Sequence, residues 1–211
     1  LTLQTRDVLR PDLRVLVMSA TLDGSRVASL LDGAPIVRSE GKTFPVRIRY
    51  LGRSEARRIE GSVAGAVRTA AAETEGDILV FLPGAGEIRR VAELFEPEMS
   101  RGFRIAHLHG SLSPAEQDRA LEPAGPRERK IVLATSIAQT SLTIEGVRVV
   151  IDAGLSRVPR FSRKSGMTRL ETVRVSRASA DQRAGRAGRV APGICYRLWS
   201  EGEHASLLPH D

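Results

Sequence analysis

The sequence predicts an α/β protein in which helices flank a parallel sheet, and two observations support this class. Along the 211 residues, short apolar runs rich in β-branched side chains alternate with amphipathic stretches of helical length, an order typical of a parallel sheet. The composition, 41% hydrophobic and 27% charged, is that of a globular chain with a core. A disordered tail is therefore excluded.

The elements follow from local patterns. The strand candidates, in chain order, are Val15–Met18, Val46–Leu51, Ile78–Leu82, Arg104–Leu108, Lys130–Ala134, Val147–Ile151 and Ile194–Leu198. The helix candidates between them are Ser25–Leu31, Ile59–Thr74, Gly86–Phe95, Pro114–Leu121, Ile137–Leu142 and Ala180–Ala187. The clearest helix start is at Pro114, because Ser113 is a good N-cap and Glu116 stands at the capping-box position.

Charge and cysteine content restrict the class of partner and the compartment. The net charge of +7, from 32 basic and 25 acidic residues, favours polyanions, with nucleic acid first. Cys195 is the only cysteine, which rules out an internal disulfide and fits a reducing compartment. No apolar run approaches the roughly 18 residues of a membrane span, and no signal peptide is recognisable. We therefore expect a cytoplasmic protein without a membrane segment or a metal site.

The most informative segment reads Gln-Arg-Ala-Gly-Arg-Ala-Gly-Arg over residues 182–189. On a continuous helix, Gln182, Arg186 and Arg189 fall within about 60° of one another, while Gly185 and Gly188 leave room for close packing elsewhere. Each glycine costs roughly 1 kcal/mol relative to alanine in a helix interior, so a packing or functional reason is expected. Guanidinium groups aimed at phosphate would supply one; the alternative is a solvated basic face.

Polar groups also follow three predicted strands. Ser19-Ala20-Thr21 follows the first strand, and a hydroxyl-rich segment, Thr135–Val147, follows the strand that ends at Ala134. His109-Gly110-Ser111 follows Leu108, at the sheet edge where open α/β sheets bind ligands. Hydroxyls and a helix N-terminus suit phosphate oxygens, although Thr135–Val147 alone is equally typical of a capped turn.

Two segments resemble phosphate-binding motifs, but each lacks a glycine that its motif requires. Gly41-Lys42-Thr43 copies the end of a P-loop, but Ile36 stands where the first glycine is required. Gly84-Ala85-Gly86 resembles a dinucleotide fingerprint, but Arg89 replaces its third glycine. Residues 41–45 are instead predicted to be a linker, because a residue before proline resists helical geometry.

Taken in order, these segments resemble the motifs of DEAH/RHA helicases of superfamily 2. The matches are motif III at Ser19–Thr21, motif IV around Phe81–Gly84, motif V at Thr135–Val147 and motif VI at Gln182–Arg189. The residue sequence of motif V and the insert Arg157–Ala178 resemble those of the bacterial HrpB branch. The resemblance implies a RecA-like sheet of the P-loop NTPase type with a β-hairpin insert.

The same resemblance implies a domain organisation and an activity. Residues 1–40 would end a first RecA-like domain, 41–45 link it to a second at 46–200, and 201–211 lead into a winged-helix region. The activity implied is that of an ATP-dependent helicase with ATP between the RecA-like domains. A P-loop lysine and a Mg²⁺-binding Asp-Glu-x-His box do not occur in this sequence. We therefore expect the Mg²⁺ ligands to come mainly from the first domain, and the isolated fragment to be inactive.

Motif VI would supply the catalytic groups: Arg186 and Arg189 would be arginine fingers, and Gln182 would orient either the attacking water or the γ-phosphate. Arg183, about 100° round a helix from Gln182, would act through packing or salt-bridging. Residues implied to sense or bind the nucleotide are Ser141, Thr143 and Leu121, the last replacing a usual adenine-stacking aromatic; Ser19 and Thr21 would couple the domains. Gln139 stands where relatives usually carry glutamate.

The remaining implied residues concern nucleic acid. Those expected to touch single-stranded RNA or DNA are Gly84, Ser111, Thr135, Ser136 and Glu145. Those of the hairpin, as a strand-separating wedge or alternatively a solvated surface hairpin, are Arg160, Phe161, Arg163, Lys164 and Arg169. The other partners would be the first RecA-like and C-terminal domains of the same protein. The alternative function is a non-catalytic nucleic-acid-binding module on a RecA-like scaffold.

Overall fold

The computed structural model describes residues 2–18, 24–37, 44–52, 58–95, 102–139, 142, 144–162 and 166–210. The chain divides into two compact units, Leu1–Gly41 and Lys42–Asp211. Within the described ranges, no helix is both long and apolar enough to cross a bilayer.

The first unit holds two short helices, α1 (Thr2–Val8) and α2 (Gly24–Leu30). The strand predicted over Val15–Met18 is wrong, because these residues have irregular backbone. Leu16 is 79% exposed and Met18 is 81% exposed. The described part of this unit contains no strand with which the segment could pair.

The second unit is built on a sheet of six parallel strands in the order β1-β8-β5-β2-β4-β3. The strands are β1 (Val46–Tyr50), β2 (Asp77–Phe81), β3 (Phe103–Leu108), β4 (Arg129–Ala134), β5 (Val147–Asp152) and β8 (Gly193–Arg197). Each begins or ends within one residue of its predicted bounds. The predicted fold class is confirmed.

Helices lie between these strands, except for the last helix, which follows β8. They are α3 (Ile59–Glu73), α4 (Ala85–Glu93), α5 (Pro114–Leu121), α6 (Arg177–Ala184) and α7 (Glu201–Ala205). The capping box predicted for α5 is present, with the Ser113 amide donating to Glu116 Oε2 at 2.8 Å. At the other end of α5, the buried Lys130 Nζ donates to the carbonyl of Glu122 at 2.6 Å. This cation satisfies carbonyls at the end of the helix that carries partial negative charge.

The two faces of the sheet carry separate cores because successive side chains of a strand point to opposite faces. In β2, Ile78 and Val80 pack with α3 and α4, whereas Leu79 and Phe81 belong to the core of the other face. That second core also contains Ala184 and Ala187. The end of α6 and the turn that follows it are therefore held against the second face of the sheet.

The insert forms a separate antiparallel hairpin of β6 (Leu155–Ser162) and β7 (Met167–Arg174). It leaves the sheet directly after β5 and returns to α6. The β-hairpin is thus present where the sequence predicted it.

Candidate functional site

The segment Gln182–Arg189 does not form one continuous α-helix. Helix α6 begins after Ser176, whose hydroxyl accepts from the Ser179 amide at 3.1 Å, and it ends at Ala184. Residues Gly185–Gly188 form a 3-10 turn, in which each residue rotates by about 120° instead of about 100°. The prediction of a single stripe of Gln182, Arg186 and Arg189 on one helix face is therefore wrong.

The two glycines of the segment have different roles. A Cβ on Gly188 would lie 2.5 Å from the Phe44 carbonyl oxygen and 2.7 Å from Val46 Cγ2. The predicted close approach is thus confirmed at Gly188, whose own carbonyl accepts from the Phe44 amide at 2.8 Å. At Gly185 nothing lies within 4 Å of such a Cβ, so the packing explanation is wrong there. Gly185 instead stands where α6 gives way to the 3-10 turn.

Arg183 is a structural residue. Its side chain is 1% exposed and donates to Asp152 Oδ1 at 2.9 Å and to the Leu155 carbonyl at 3.2 Å. Its guanidinium carbon also lies 4.9 Å from the centre of the Phe81 ring, within cation–π range. These contacts tie α6 to the end of β5 and the start of the hairpin, in keeping with the expected salt-bridging role. Asp152, 31 residues earlier in the chain, was not recognisable as the partner before the structure.

Arg186 ties the 3-10 turn to the segment after β4. Its Nε donates to the Gln139 carbonyl at 3.0 Å, and its Nη1 donates to the Leu142 carbonyl. The side chain is buried, and burial, with a smaller contribution from the charge of Arg189, lowers its pKa to about 10. Arg186 therefore keeps its positive charge at neutral pH. Arg189, one turn further on, is exposed.

Gln139 is the centre of this site, a role that sequence analysis missed. Its Nε2 donates to Ser179 Oγ at 2.9 Å and to Gln182 Oε1 at 3.0 Å. Its Oε1 accepts from Arg183 Nε at 3.1 Å, and its carbonyl accepts from Arg186. The one available signal was that glutamine replaces the glutamate usual at this position of the motif.

Several predicted nucleic-acid residues are brought to one edge of the sheet. Gly84 follows β2, Ser111 follows β3 and Thr135 follows β4. These three strands are neighbours in the sheet, and their carboxyl ends share that edge. The Thr135 amide donates to the Leu108 carbonyl at 3.1 Å, which joins two of these strand ends directly. Ser136 begins a 3-10 turn at the same place, where an α-helix over Ile137–Leu142 was predicted.

Glu145 and Leu121 do not belong to this edge. Glu145 precedes β5, and Leu121 ends α5 shortly before β4 begins. Because all strands of the sheet are parallel, both lie toward its amino edge. The structure therefore does not bring Glu145 together with Gly84, Ser111 and Thr135. Leu121 is partly buried against the second core.

The hairpin carries exposed apolar and basic side chains. Phe161 is 65% exposed and Leu170 is 66% exposed, and the strand register puts both on one face, with Met167 on the other. Arg160 lies opposite Arg169 and 3.5 Å from Glu171.

The base of the hairpin contacts the strand-end region. Arg157 donates to Glu87 Oε1 at 3.1 Å. A Cβ on Gly84 would lie 2.5 Å from Arg157 Nη1. Arg157 therefore covers the start of α4.

Six predicted site residues lie outside the described part of the chain. They are Ser19, Thr21, Ser141, Thr143, Arg163 and Lys164. Among the residues described, no group of three or more His, Cys, Asp or Glu side chains could hold a metal ion.

The parallel sheet, its hairpin insert and the arginine-rich turn of residues 185–189 on its second face define a RecA-like domain. The model of the family "Helicase conserved C-terminal domain" matches residues 63–191, and the chain belongs to that family. The resemblance to DEAH/RHA helicases of the HrpB branch is confirmed by similarity to individual proteins.

Among curated relatives, the ATP-dependent RNA helicase HrpB of Escherichia coli (strain K12) is 48% identical over 198 residues, which cover 94% of this chain and 24% of that protein. The ATP-dependent RNA helicase HrpA of the same organism is 39% identical over 203 residues, covering 93% and 15%. The chain thus spans about a quarter or less of the length of these relatives.

Two solved structures have the same fold. The crystal structure of Escherichia coli DEAH/RHA helicase HrpB matches with a TM-score of 0.92 at 45% identity, covering 100% of this chain and 27% of that one. The crystal structure of E. coli DExH-box NTPase HrpB matches with a TM-score of 0.88 at 45% identity, covering 99% and 26%.

Proposed function

We propose that the chain is the second RecA-like domain of a longer ATP-dependent helicase, in which it supplies the arginine fingers for ATP hydrolysis and half of the single-strand track. The observation that carries this proposal is the network around Gln139, which fixes Gln182 and Arg186 against the segment that follows β4. Residues 1–40 then end the first domain, 41–45 form the linker and 201–211 lead into a C-terminal region. The partners are these other domains, in the cytoplasm.

The nucleotide would be held by cations and hydrogen-bond donors. Arg186, Arg189 and the amide of Gln182 are complementary to the γ-phosphate oxygens of ATP, which only accept hydrogen bonds. ATP supplies the bond that is cleaved, and the carboxylates that hold its Mg²⁺ come mainly from the first domain. Ser141 and Thr143 sense the nucleotide state, and Leu121 lies beside the base, where it provides apolar contact without aromatic stacking.

Single-stranded RNA or DNA would run along the carboxyl edge of the sheet. Gly84, Ser111, Thr135 and Ser136 lie there, where backbone amides and hydroxyls can bind phosphates. The turn at Gly188 contacts Phe44, just before β1 begins, and so extends toward the amino edge of the sheet. This supports a proposal in which Arg186 and Arg189 bind the nucleotide while Gly84, Ser111 and Thr135 bind nucleic acid.

The isolated chain should hydrolyse ATP no faster than background, with or without RNA, because it carries neither the P-loop lysine nor the acidic Mg²⁺ ligands that the reaction needs. Phosphate release from purified protein is the measurement, with Arg186→Ala as the control for contaminating ATPases. If the isolated chain hydrolyses ATP and Arg186→Ala abolishes this activity, the proposal that the chain carries only part of the ATPase site is contradicted.

In the longer helicase, removing residues 161–170 should reduce duplex separation and spare RNA-stimulated ATP hydrolysis, because a wedge acts at the strand junction. The anchoring contact between Arg157 and Glu87 stays in place. The sharper variant is Phe161→Ser with Leu170→Ser, on one exposed face of the hairpin, matched by Met167→Ser on the other. An equal loss of unwinding and hydrolysis would mean that the segment is only part of the fold.

A further inference from the structure

The orientation of the Gln139 side-chain amide is fixed by Arg183. An arginine side chain has hydrogen-bond donors and no acceptor, so the atom of Gln139 that lies 3.1 Å from Arg183 Nε must be the oxygen. Arg183 is itself held by Asp152 and is 1% exposed. The Gln139 amide therefore cannot turn over without leaving a buried guanidinium N–H unpaired.

This orientation determines which end of Gln182 is available to a ligand. The NH₂ group of Gln139 has two hydrogens, one directed at Ser179 Oγ and one at Gln182. The atom that Gln182 turns toward a donor must be its carbonyl oxygen, 3.0 Å away. In the part of the chain that the structure describes, no hydrogen bond occupies Gln182 Nε2. Gln182 thus offers a hydrogen-bond donor rather than an acceptor.

We propose that Gln139 is a positioning residue that fixes the polarity of Gln182, so that Gln182 binds a γ-phosphate oxygen through its NH₂ group instead of orienting the attacking water through its carbonyl oxygen. The inference rests on the proposed function, since it takes Gln182 to face the nucleotide. Phosphate oxygens need hydrogen-bond donors, whereas an attacking water is oriented by an acceptor for its O–H group. The NH₂ group of Gln182, which Gln139 leaves without a partner among the described residues, meets only the first of these needs.

A glutamate at position 139 would reverse this polarity. Its carboxylate accepts from Arg183 as before but has no hydrogen to donate. Gln182 would then turn its NH₂ group inward and present its oxygen to the ligand. Glutamine at position 139 thus directs the NH₂ group of Gln182 outward, whereas glutamate would direct its carbonyl oxygen outward.

The test uses the longer helicase with Gln182→Glu, which still accepts from Gln139 but replaces the outward donor by a carboxylate oxygen. We expect the affinity for a non-hydrolysable ATP analogue to fall by about tenfold or more, the effect of losing one hydrogen bond to a charged group. ADP lacks the γ-phosphate, so its affinity should change by less than about twofold. Analogue affinity and kcat that survive Gln182→Glu would overturn the proposal.

Two variants at position 139 test its positioning role. Gln139→Glu should lower the ratio of analogue affinity to ADP affinity, as Gln182→Glu does. The reason is that glutamate reverses the side-chain amide of Gln182, so that its oxygen faces the ligand. Gln139→Met, which leaves Gln182 able to adopt either orientation, should lower it less. A ratio that Gln139→Glu leaves unchanged, in a protein with an unaltered thermal unfolding midpoint, would overturn the role of Gln139.

Hydrolysis by the Arg189→Ala and Gln182→Glu variants separates the polarity of Gln182 from the role of the turn in nucleotide binding. If Arg189→Ala abolishes hydrolysis while Gln182→Glu preserves both analogue affinity and kcat, only the polarity of Gln182 is wrong. If neither substitution affects hydrolysis, the arginine-rich turn does not face the nucleotide.

Discussion

In the longer helicase, Arg186→Ala should lower the rate of ATP hydrolysis by about 10³- to 10⁵-fold, the range found for arginine fingers. The guanidinium stabilises negative charge that develops on the transferred phosphoryl group, so its loss affects the transition state most. RNA affinity should stay within a few-fold, because the strand ends that carry Gly84 and Thr135 do not involve Arg186. Single-turnover hydrolysis and RNA binding, measured on the same preparation, test this expectation.

A second variant, Arg186→Lys, separates loss of catalysis from loss of folding. Because Arg186 donates to the carbonyls of Gln139 and Leu142, alanine leaves both acceptors without this partner. Arg186→Lys keeps the charge but not the planar set of donors, and it should lower the rate with little change in the unfolding midpoint. A normal rate of hydrolysis together with weakened RNA binding would mean that Arg186 binds a phosphate of the nucleic acid and is not an arginine finger.

Arg183→Ala should lower the free energy of unfolding of this chain by about 3–5 kcal/mol, because it leaves a buried charge without its partner. Asp152 is 0% exposed, and its Oδ1 accepts from Arg183 at 2.9 Å. The cation–π contact with Phe81 is lost as well. Urea denaturation followed by circular dichroism measures the change.

Two further variants make the Arg183 experiment specific. Arg189→Ala, an exposed arginine of the same segment, should change stability by no more than about 0.5 kcal/mol. Arg183→Met combined with Asp152→Asn removes both charges and should recover part of the loss. If Arg183→Ala unfolds at the same urea concentration as the parent, the buried pair does not hold α6 on the sheet.

Much of the fold was predictable because its elements have local causes. The strand around Ile78–Leu82 is fully apolar, as a strand covered on both faces requires, and Ser113 and Glu116 specify the start of α5 by side-chain chemistry alone. Val15–Met18 has the same apolar character but no strand beside it among the described residues. Apolar composition therefore predicted strands only where the sheet provides neighbours.

The site was less predictable because its contacts are distant in sequence. Gln139 lies 43 residues from Gln182 and 44 from Arg183, and Asp152 lies 31 residues from Arg183. The helical spacing of Gln182, Arg186 and Arg189 suggested one stripe, but the glycines at 185 and 188 accompany a change to 3-10 geometry. The identity of the residues was informative, whereas their relative placement depended on packing against the sheet.

Arg189 is the residue at which a role of the arginine-rich turn in ATP hydrolysis is best separated from a role in nucleic-acid binding. This side chain is exposed, so Arg189→Ala is expected to leave the fold intact. The measurement is the hydrolysis rate of the longer helicase together with the slope of log Kd for single-stranded RNA against log salt concentration. We expect the rate to collapse while the slope is unchanged. An unchanged rate with a slope reduced by about one, as expected on losing one phosphate contact, would contradict it.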